Sequence, residues 1–291
     1  SPGDIFPEES VLSGLTVEEV AAGTRHVSEL RDALTEAGAP KERVDVDKAG
    51  LMLAESRDEA FTKEGWIFEL KLDGYRLIAS KTRGDALLLS RNGNDYTGVF
   101  PEIARAVKAL PVDECILDGE VVVLDSRGVP SFSRLQQRGA KKSEVEVRAA
   151  AVELPATYYA FDLLAFDDFD LRPLPLVRRK ELLKEAIPKL GPVRVLDHIE
   201  REGEAFLAEV EKMGLEGILA KKADAPYRAG RTAQWQKIKA EKTDDFVIVG
   251  YTAPKGPRSG FGALQLADFV RDTLVYSGRV GTGFDERLIT E

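Results

Sequence analysis

Residues 66 to 76 read Trp-Ile-Phe-Glu-Leu-Lys-Leu-Asp-Gly-Tyr-Arg. Side chains of an extended segment alternate between two faces, so Trp66, Phe68 and Leu70 share one side and Ile67, Glu69 and Lys71 the other. The turn dipeptide Asp73-Gly74 and an arginine on the returning strand predict a β-hairpin in which Glu69, Lys71 and Arg76 converge on one pocket. An amine so placed can serve as a nucleophile. Further along, Asp118 and Glu120 share a face opposite Leu117, Gly119 and Val121 within an otherwise apolar strand, and buried carboxylates need partners. Glu216 precedes a Gly-Ile-Leu strand, while Lys237 and Lys239, two apart, share one strand face. Each feature alone also has an ordinary meaning: a charged hairpin face, salt-bridged acids, a basic sheet surface.

The elements that must hold these residues follow from periodicity. Period-two patterns predict strands at 66–72, 75–81, 86–90, 115–124, 157–164, 217–221 and 245–251, and helical periodicity appears at about 101–110, 176–190 and 203–214. Strands interrupted by a few helices, without regular alternation, predict an antiparallel or mixed α+β fold rather than a doubly wound sheet. Residues 1–50 read as an acidic helical extension, with capping-box spacing at Thr16–Glu19 and apolar Leu30, Leu34 and Ala37 on one face of a second stretch. Strand-like segments at 263–270 and 273–280, after a Gly/Pro-rich stretch at 254–262, predict a small β domain from about residue 241. The expected organisation is therefore 1–50, 51–240 and 241–291.

Composition narrows the classes. A chain of 291 residues that is 43% hydrophobic and 31% charged can bury a core, which excludes disorder. It has no apolar run long enough to cross a bilayer and no signal-peptide pattern at its start, so a cytosolic location is the default. One cysteine, Cys115, forbids an internal disulfide, and His26 and His198 are too few for a zinc finger. The net charge of −9 is lopsided: residues 1–65 hold 15 acidic against 7 basic side chains. Residues 217–240 carry six basic side chains (Lys221, Lys222, Arg228, Arg231, Lys237 and Lys239) against Asp224. Such a run is either a solvated face or an anion-binding patch.

Lys71-Leu-Asp-Gly-Tyr-Arg76 resembles KxDGxR, the nucleophile motif of the covalent nucleotidyltransferases: DNA ligases, RNA ligases and mRNA capping enzymes. Further family-like motifs follow in order at Ser90-Arg-Asn-Gly93, Leu117-Asp-Gly-Glu120, Tyr159-Ala-Phe-Asp162, Glu216-Gly-Ile218 and Trp235-Gln-Lys-Ile-Lys239. The wording is most similar to the ATP-dependent ligase modules of bacterial end-joining proteins, from about Gly50 onward. The resemblance implies a nucleotidyltransferase domain on antiparallel and mixed sheets with flanking helices, followed by an OB-fold domain. It implies ATP as cofactor, with AMP carried covalently on Lys71, a divalent Mg²⁺ or Mn²⁺ ion, and nicked or broken duplex DNA as substrate. Other end-joining proteins are the candidate partners, with no membrane, a monomeric state and work in the bacterial nucleoid.

Roles are implied residue by residue. Lys71 attacks the α-phosphorus, which requires a neutral amine although a free lysine titrates near 10.4. Lys237 and Lys239 would disfavour its ammonium form and neutralise phosphate oxygens. Glu69 resembles the acceptor of the adenine amino group, which would favour ATP over GTP, and Phe161 the aromatic that stacks on the base. Arg76 and Arg91 resemble contacts to the ribose and to the DNA 5′-phosphate side. Glu120 is implied at the ribose and metal region and Glu216 at the metal, where carboxylate and phosphate oxygens suit a hard divalent cation. Asp118 is equally well a structural acid, and Arg228 and Arg231 are expected near phosphates or the DNA backbone.

Residues 241–291 offer about three strands, fewer than a five-stranded barrel needs. The OB-fold is therefore expected to be cut short, before a last basic motif that orients pyrophosphate, and self-adenylation is expected to be weaker than in a C-terminally extended chain. Competing readings are an RNA guanylyltransferase or RNA ligase of the same superfamily, and a non-catalytic DNA-binding scaffold. The single cysteine weighs against an NAD-dependent ligase with its zinc site.

Overall fold

The computed structural model describes residues 23–240, 246–254 and 260–281. The capping-box spacing at Thr16–Glu19 and most of the Gly/Pro-rich stretch at 254–262 lie outside them. Two compact units result, residues 1–240 and residues 241–291.

In chain order the first unit contains α1 (Gly23–Glu36), β1 (Met52–Arg57), β2 (Trp66–Leu70), β3 (Tyr75–Thr82), β4 (Asp85–Ser90), α2 (Pro101–Lys108) and β5 (Cys115–Val123). Then come α3 (Phe132–Gly139), α4 (Glu144–Glu153), β6 (Ala156–Phe166), β7 (Phe169–Asp170), α5 (Leu176–Ala186), β8 (Val193–Val195), β9 (Ile199–Glu200), α6 (Gly203–Lys212), β10 (Gly217–Lys222) and β11 (Gly230–Lys239). The second unit contributes β12 (Val247–Thr252), β13 (Ala263–Val270) and β14 (Thr273–Val280), an antiparallel three-stranded sheet with OB-like strands. The architecture is α+β. Among the described residues no helix is long and apolar enough to cross a membrane.

Two sheets build the first unit. One has the order β1-β11-β10-β2-β9, the other β4-β3-β5-β6-β7 with β8 added parallel to β6. The expected hairpin at Asp73-Gly74 is not formed: β2 pairs with β10 and β9, while β3 pairs with β4 and β5. Residues 71–74 instead carry the chain from one sheet to the other. A turn dipeptide fixes a change of direction, not the partner of the strand that follows.

Strand alternation sorts side chains into three cores. Phe68, Ile218, Ala220 and Ile238 turn from the first sheet toward Val210 of α6. Leu77, Ala79, Leu117 and Val121 turn from the second sheet into the largest cluster, where α1 adds Leu30 and Leu34 and α2 adds Ile103 and Val107. That docking is why an acidic N-terminal helix can stay ordered. Ile78, Ile116, Phe161, Leu164 and Trp235 form a third cluster, drawn from facing sides of both sheets. The two sheets face each other across this last cluster, and the space between them is the inter-sheet cleft.

Candidate active site

Lys71 lies just past the end of β2, where its backbone N–H donates to Gly217 O at 2.9 Å and extends the pairing with β10 by one residue. Its Nζ forms an ion pair with the Glu216 carboxylate, and the two side chains are 21% and 30% exposed, so solvent or a ligand can reach them. Gly217 has φ of 144°, and a Cβ there would stand 2.2 Å from Ile238 O, so the strand can pass its neighbour here only as glycine. Across the sheet Gly217 faces Lys239 and Leu219 faces both Lys237 and Glu69. Lys71 and Lys239 are thus in one cross-strand row, two strands or roughly 10 Å apart. Glu69 and Lys237 occupy the next row inward. Lys237 is half-buried and Lys239 exposed.

The opposite wall is built on β3 and β5, where Arg76 faces Glu120 and Ile78 faces Asp118. Asp118 is fully buried and accepts two hydrogen bonds from Arg76, from Nε at 3.0 Å and Nη2 at 2.6 Å, and a third from Tyr227 Oη at 2.7 Å. This is the structural acid allowed for Asp118, since its oxygens are taken up by partners of the fold. Asp118 raises the pKa of Arg76 against the lowering effect of burial, keeping the guanidinium charged. Glu120 is different. Burial pushes its pKa up to about 8, helped by Asp118 and opposed by Arg76 and Lys71. Gly74 makes this geometry possible, because a Cβ there would stand 2.2 Å from Val121 O and 2.8 Å from Glu120 Cγ.

Next to these walls is an ionic cluster around Glu69 whose two lysines lie outside the sequence motifs. Glu69 is fully buried, with Lys180 of α5 donating to Oε1 at 2.5 Å and Lys221 of β10 at 2.6 Å from Oε2. Lys221 thus meets the carboxylate oxygen opposite the one Lys180 holds, in a close buried ion pair. Burial raises the Glu69 pKa, but the two lysines outweigh it and the carboxyl is held below its ordinary value. Burial lowers the Lys221 pKa. The Lys221 ammonium stands 4.2 Å from the Phe161 ring centroid and 4.0 Å from that of Trp235, a cation–π sandwich that offsets part of its desolvation. Phe161 is itself 5% exposed and meets Trp235 edge-on at 6.0 Å. Next to it Asp162 forms a fully buried two-point ion pair with Arg179, at 2.7 and 2.8 Å.

The basic run at 217–240 is therefore not one surface. Lys221 lies in the core, and Lys222 pairs with Asp224. Arg231 is exposed and donates to Ala54 O of β1 at 2.9 Å. Arg228 is exposed and lines a cleft of 440 Å³ with Lys48, Arg172 and Tyr227. Arg91 is exposed in the turn after β4. Of the sequence-derived candidates, Glu69, Lys71, Arg76, Glu120, Phe161, Glu216, Lys237 and Lys239 are brought to the inter-sheet cleft or the sheet face that lines it. Arg91, Arg228 and Arg231 lie on outer surfaces. Lys180 and Tyr227 join the site from segments outside the motifs.

An amine against a carboxylate at the mouth, two further cations on the same sheet face and an aromatic floor suit capture of a nucleotide with its phosphates outward. Glu216 Oε2 is buried without a hydrogen-bond partner, an open valence that suits a hard cation.

The family model for the ATP dependent DNA ligase domain matches residues 51–239. The multifunctional non-homologous end joining protein LigD of Pseudomonas aeruginosa is 38% identical over 224 residues, covering 75% of this chain and 26% of that protein. The LigD DNA repair protein of Mycobacterium tuberculosis is 39% identical over 224 residues, covering 76% and 28%. Among solved structures, the ligase domain of M. tuberculosis LigD superposes with a TM-score of 0.59 at 35% identity, covering 85% of this chain and 77% of that one. A mycobacterial DNA ligase D complexed with ATP gives 0.60 at 34% identity, with the same coverage. The chain spans about a quarter of the length of these curated relatives.

Proposed function

The chain belongs to the ATP-dependent DNA ligase domain family, and from that premise we propose that it seals DNA strand breaks through a lysyl-AMP intermediate on Lys71. The observation that carries the proposal is the placement of the Lys71 amine against Glu216 at the mouth of the cleft, with Arg76 and Glu120 on the facing wall.

In the first step the Lys71 nitrogen bonds to the α-phosphorus of ATP, the α–β bridging bond breaks and pyrophosphate leaves. Glu216, already in contact with the amine, is placed to take its proton. Lys237 and Lys239 face the phosphates from the same sheet surface and stabilise the charge that develops there. Arg76, clamped by Asp118, retains three N–H donors for the ribose side. Phe161 and Glu69 are assigned to the base end of the site, where an adenine exocyclic amine would take the place of Lys180 or Lys221 on the Glu69 carboxylate. In the second step an oxygen of a DNA 5′-phosphate displaces Lys71 from the adenylyl phosphorus. In the third a 3′-hydroxyl attacks the activated 5′-phosphorus and AMP leaves.

Glu216 and Glu120 are the residues that would hold a divalent Mg²⁺ or Mn²⁺ ion, which supplies charge neutralisation to the phosphate oxygens. Exposed Arg91, Arg228 and Arg231 are assigned to the DNA backbone, where forked guanidinium groups suit phosphate. We place the work at nicks or double-strand ends of the chromosome in the nucleoid, by a monomer acting with other end-joining proteins.

Intact-mass spectrometry before and after ATP with Mg²⁺ tests the reading. A gain of one AMP that is absent in Lys71→Ala and absent with GTP is expected. No gain in wild-type protein would overturn it, and a GMP adduct would move the chain to the guanylyltransferase reading.

A further inference from the structure

The loop of residues 223–229 between β10 and β11 carries none of the motif residues, yet one of its side chains reaches the centre of the site. Tyr227 is 4% exposed, and its hydroxyl donates to Asp118 Oδ2 at 2.7 Å while accepting from Met52 N–H at 3.1 Å. Asp118 spends its remaining reach on Arg76 through two hydrogen bonds. A path of hydrogen bonds thus runs from the start of β1, through Tyr227 and Asp118, to the guanidinium expected to hold the nucleotide. The loop is fixed on both flanks. Tyr227 N–H donates to Arg172 O at 2.7 Å, Ala225 O accepts from buried Arg179 Nη1 at 3.0 Å, and Gly230 N–H donates to Leu51 O at 2.8 Å. The Tyr227 ring meets Trp235 edge-on at 5.9 Å, and Trp235 in turn lies 5.6 Å from the Arg76 guanidinium carbon. Hydroxyl and ring therefore act on the same guanidinium from two sides.

We infer that Tyr227 is a positioning residue for nucleotide capture, its hydroxyl fixing the Asp118 carboxylate in the one orientation that holds Arg76 edge-on and leaves the remaining guanidinium donors free for the ligand. The inference rests on the nucleotidyl-transfer reading above. A carboxylate with two partners can rotate about χ2, and a third hydrogen bond from a pinned loop removes that freedom before the nucleotide arrives, which lowers the ordering cost of binding.

The test is ATP-dependent AMP transfer to the protein, measured against ATP concentration for wild type, Tyr227→Phe, Arg76→Ala and the double variant, with thermal unfolding followed in parallel. Tyr227→Phe keeps the ring and removes only the hydroxyl. The KM for ATP is expected to rise about tenfold with the turnover rate nearly unchanged, the signature of a lost ground-state contact. In the Arg76→Ala background the same change is expected to raise KM no further, because the group it positions is gone. Asp118→Asn should reproduce the KM effect. An unchanged KM, an equal rise in both backgrounds, or a Tyr227→Phe protein that does not fold would each overturn the inference, the last because the hydroxyl would then be holding the fold and not Arg76. Wild-type protein that forms no adduct would defeat both this inference and the functional reading, whereas a normal adduct with an unmoved KM would defeat this one alone.

Discussion

The two faces of the five-stranded sheet are made of alternate residues of the same strands, and they do opposite work. On the back, Phe68, Ile218, Ala220 and Ile238 are fully buried against α6. On the front, Glu69, Lys71, Lys221, Lys237 and Lys239 place five ionisable groups within three adjacent rows of the same strands. The back face is replaceable by anything of equal volume and polarity, because hydrophobic burial is non-directional. The front face is not, because charge at short range depends on position and partner. Stability and chemistry are thus separable here by the parity of residue number.

That separation can be broken from either side. The largest effect is expected for Lys71→Ala, which removes the nucleophile: covalent AMP should fall at least about a thousandfold, with the thermal midpoint little changed. A midpoint collapse in this variant would show that the front face also carries the fold. Next comes Ile238→Ala on the back, which should cost about 2–5 kcal/mol in denaturant unfolding, while the folded fraction still transfers AMP at a near-normal rate per molecule. Loss of transfer by folded Ile238→Ala protein would erase the distinction between the faces.

The facing wall gives a subtler test through pH. Burial raises the Glu120 pKa from 4.5 to about 8, so the folded protein holds this proton where the unfolded chain has released it. Its contribution to stability is fully present below about 4.5 and is lost as pH rises through about 8. Denaturant midpoints of the ligand-free protein should carry this downward component across the window, and Glu120→Gln should flatten it. An identical pH profile in both proteins would count against an uncharged Glu120. The smallest effect is expected for Arg91→Ala on the outer surface: AMP transfer to Lys71 within about twofold of wild type, with a measurable loss only in sealing of nicked DNA. A defect in the first step would move Arg91 into the nucleotide site.

Much of this was legible in the residues themselves. The alternation in Trp66–Leu70 and in Ile116–Val123 placed Lys71, Asp118 and Glu120 on their proper faces, because an apolar face opposite a charged one has one stable orientation. The boundaries of β13 and β14 coincide with the sequence-derived segments. The failures are instructive. The hairpin expected at Asp73-Gly74 dissolved because strand pairing is decided by distant partners, here β5 and β10. Lys221 read as part of a basic run and Lys180 only as a position in the helix expected at 176–190, and only a buried counter-ion contributed from another element turns such a lysine inward. Helix α4 went unread although Ser143 and Glu146 form a complete capping box.

The bridge of residues 71–74 has a consequence for how this protein can be rewritten. It is the short tether between the cleft's two walls, and side-chain direction on either flank is set by counting from it. Swapping Leu72 or Asp73 changes a contact, whereas adding a residue would shift the numbering parity of β3 relative to β2 and turn Arg76 away from its partners. Between the nucleophile Lys71 and the sterically locked Gly74, length is more constrained than identity, so a designer or a mutational scan should find indels lethal where point changes at Leu72 and exposed Asp73 survive.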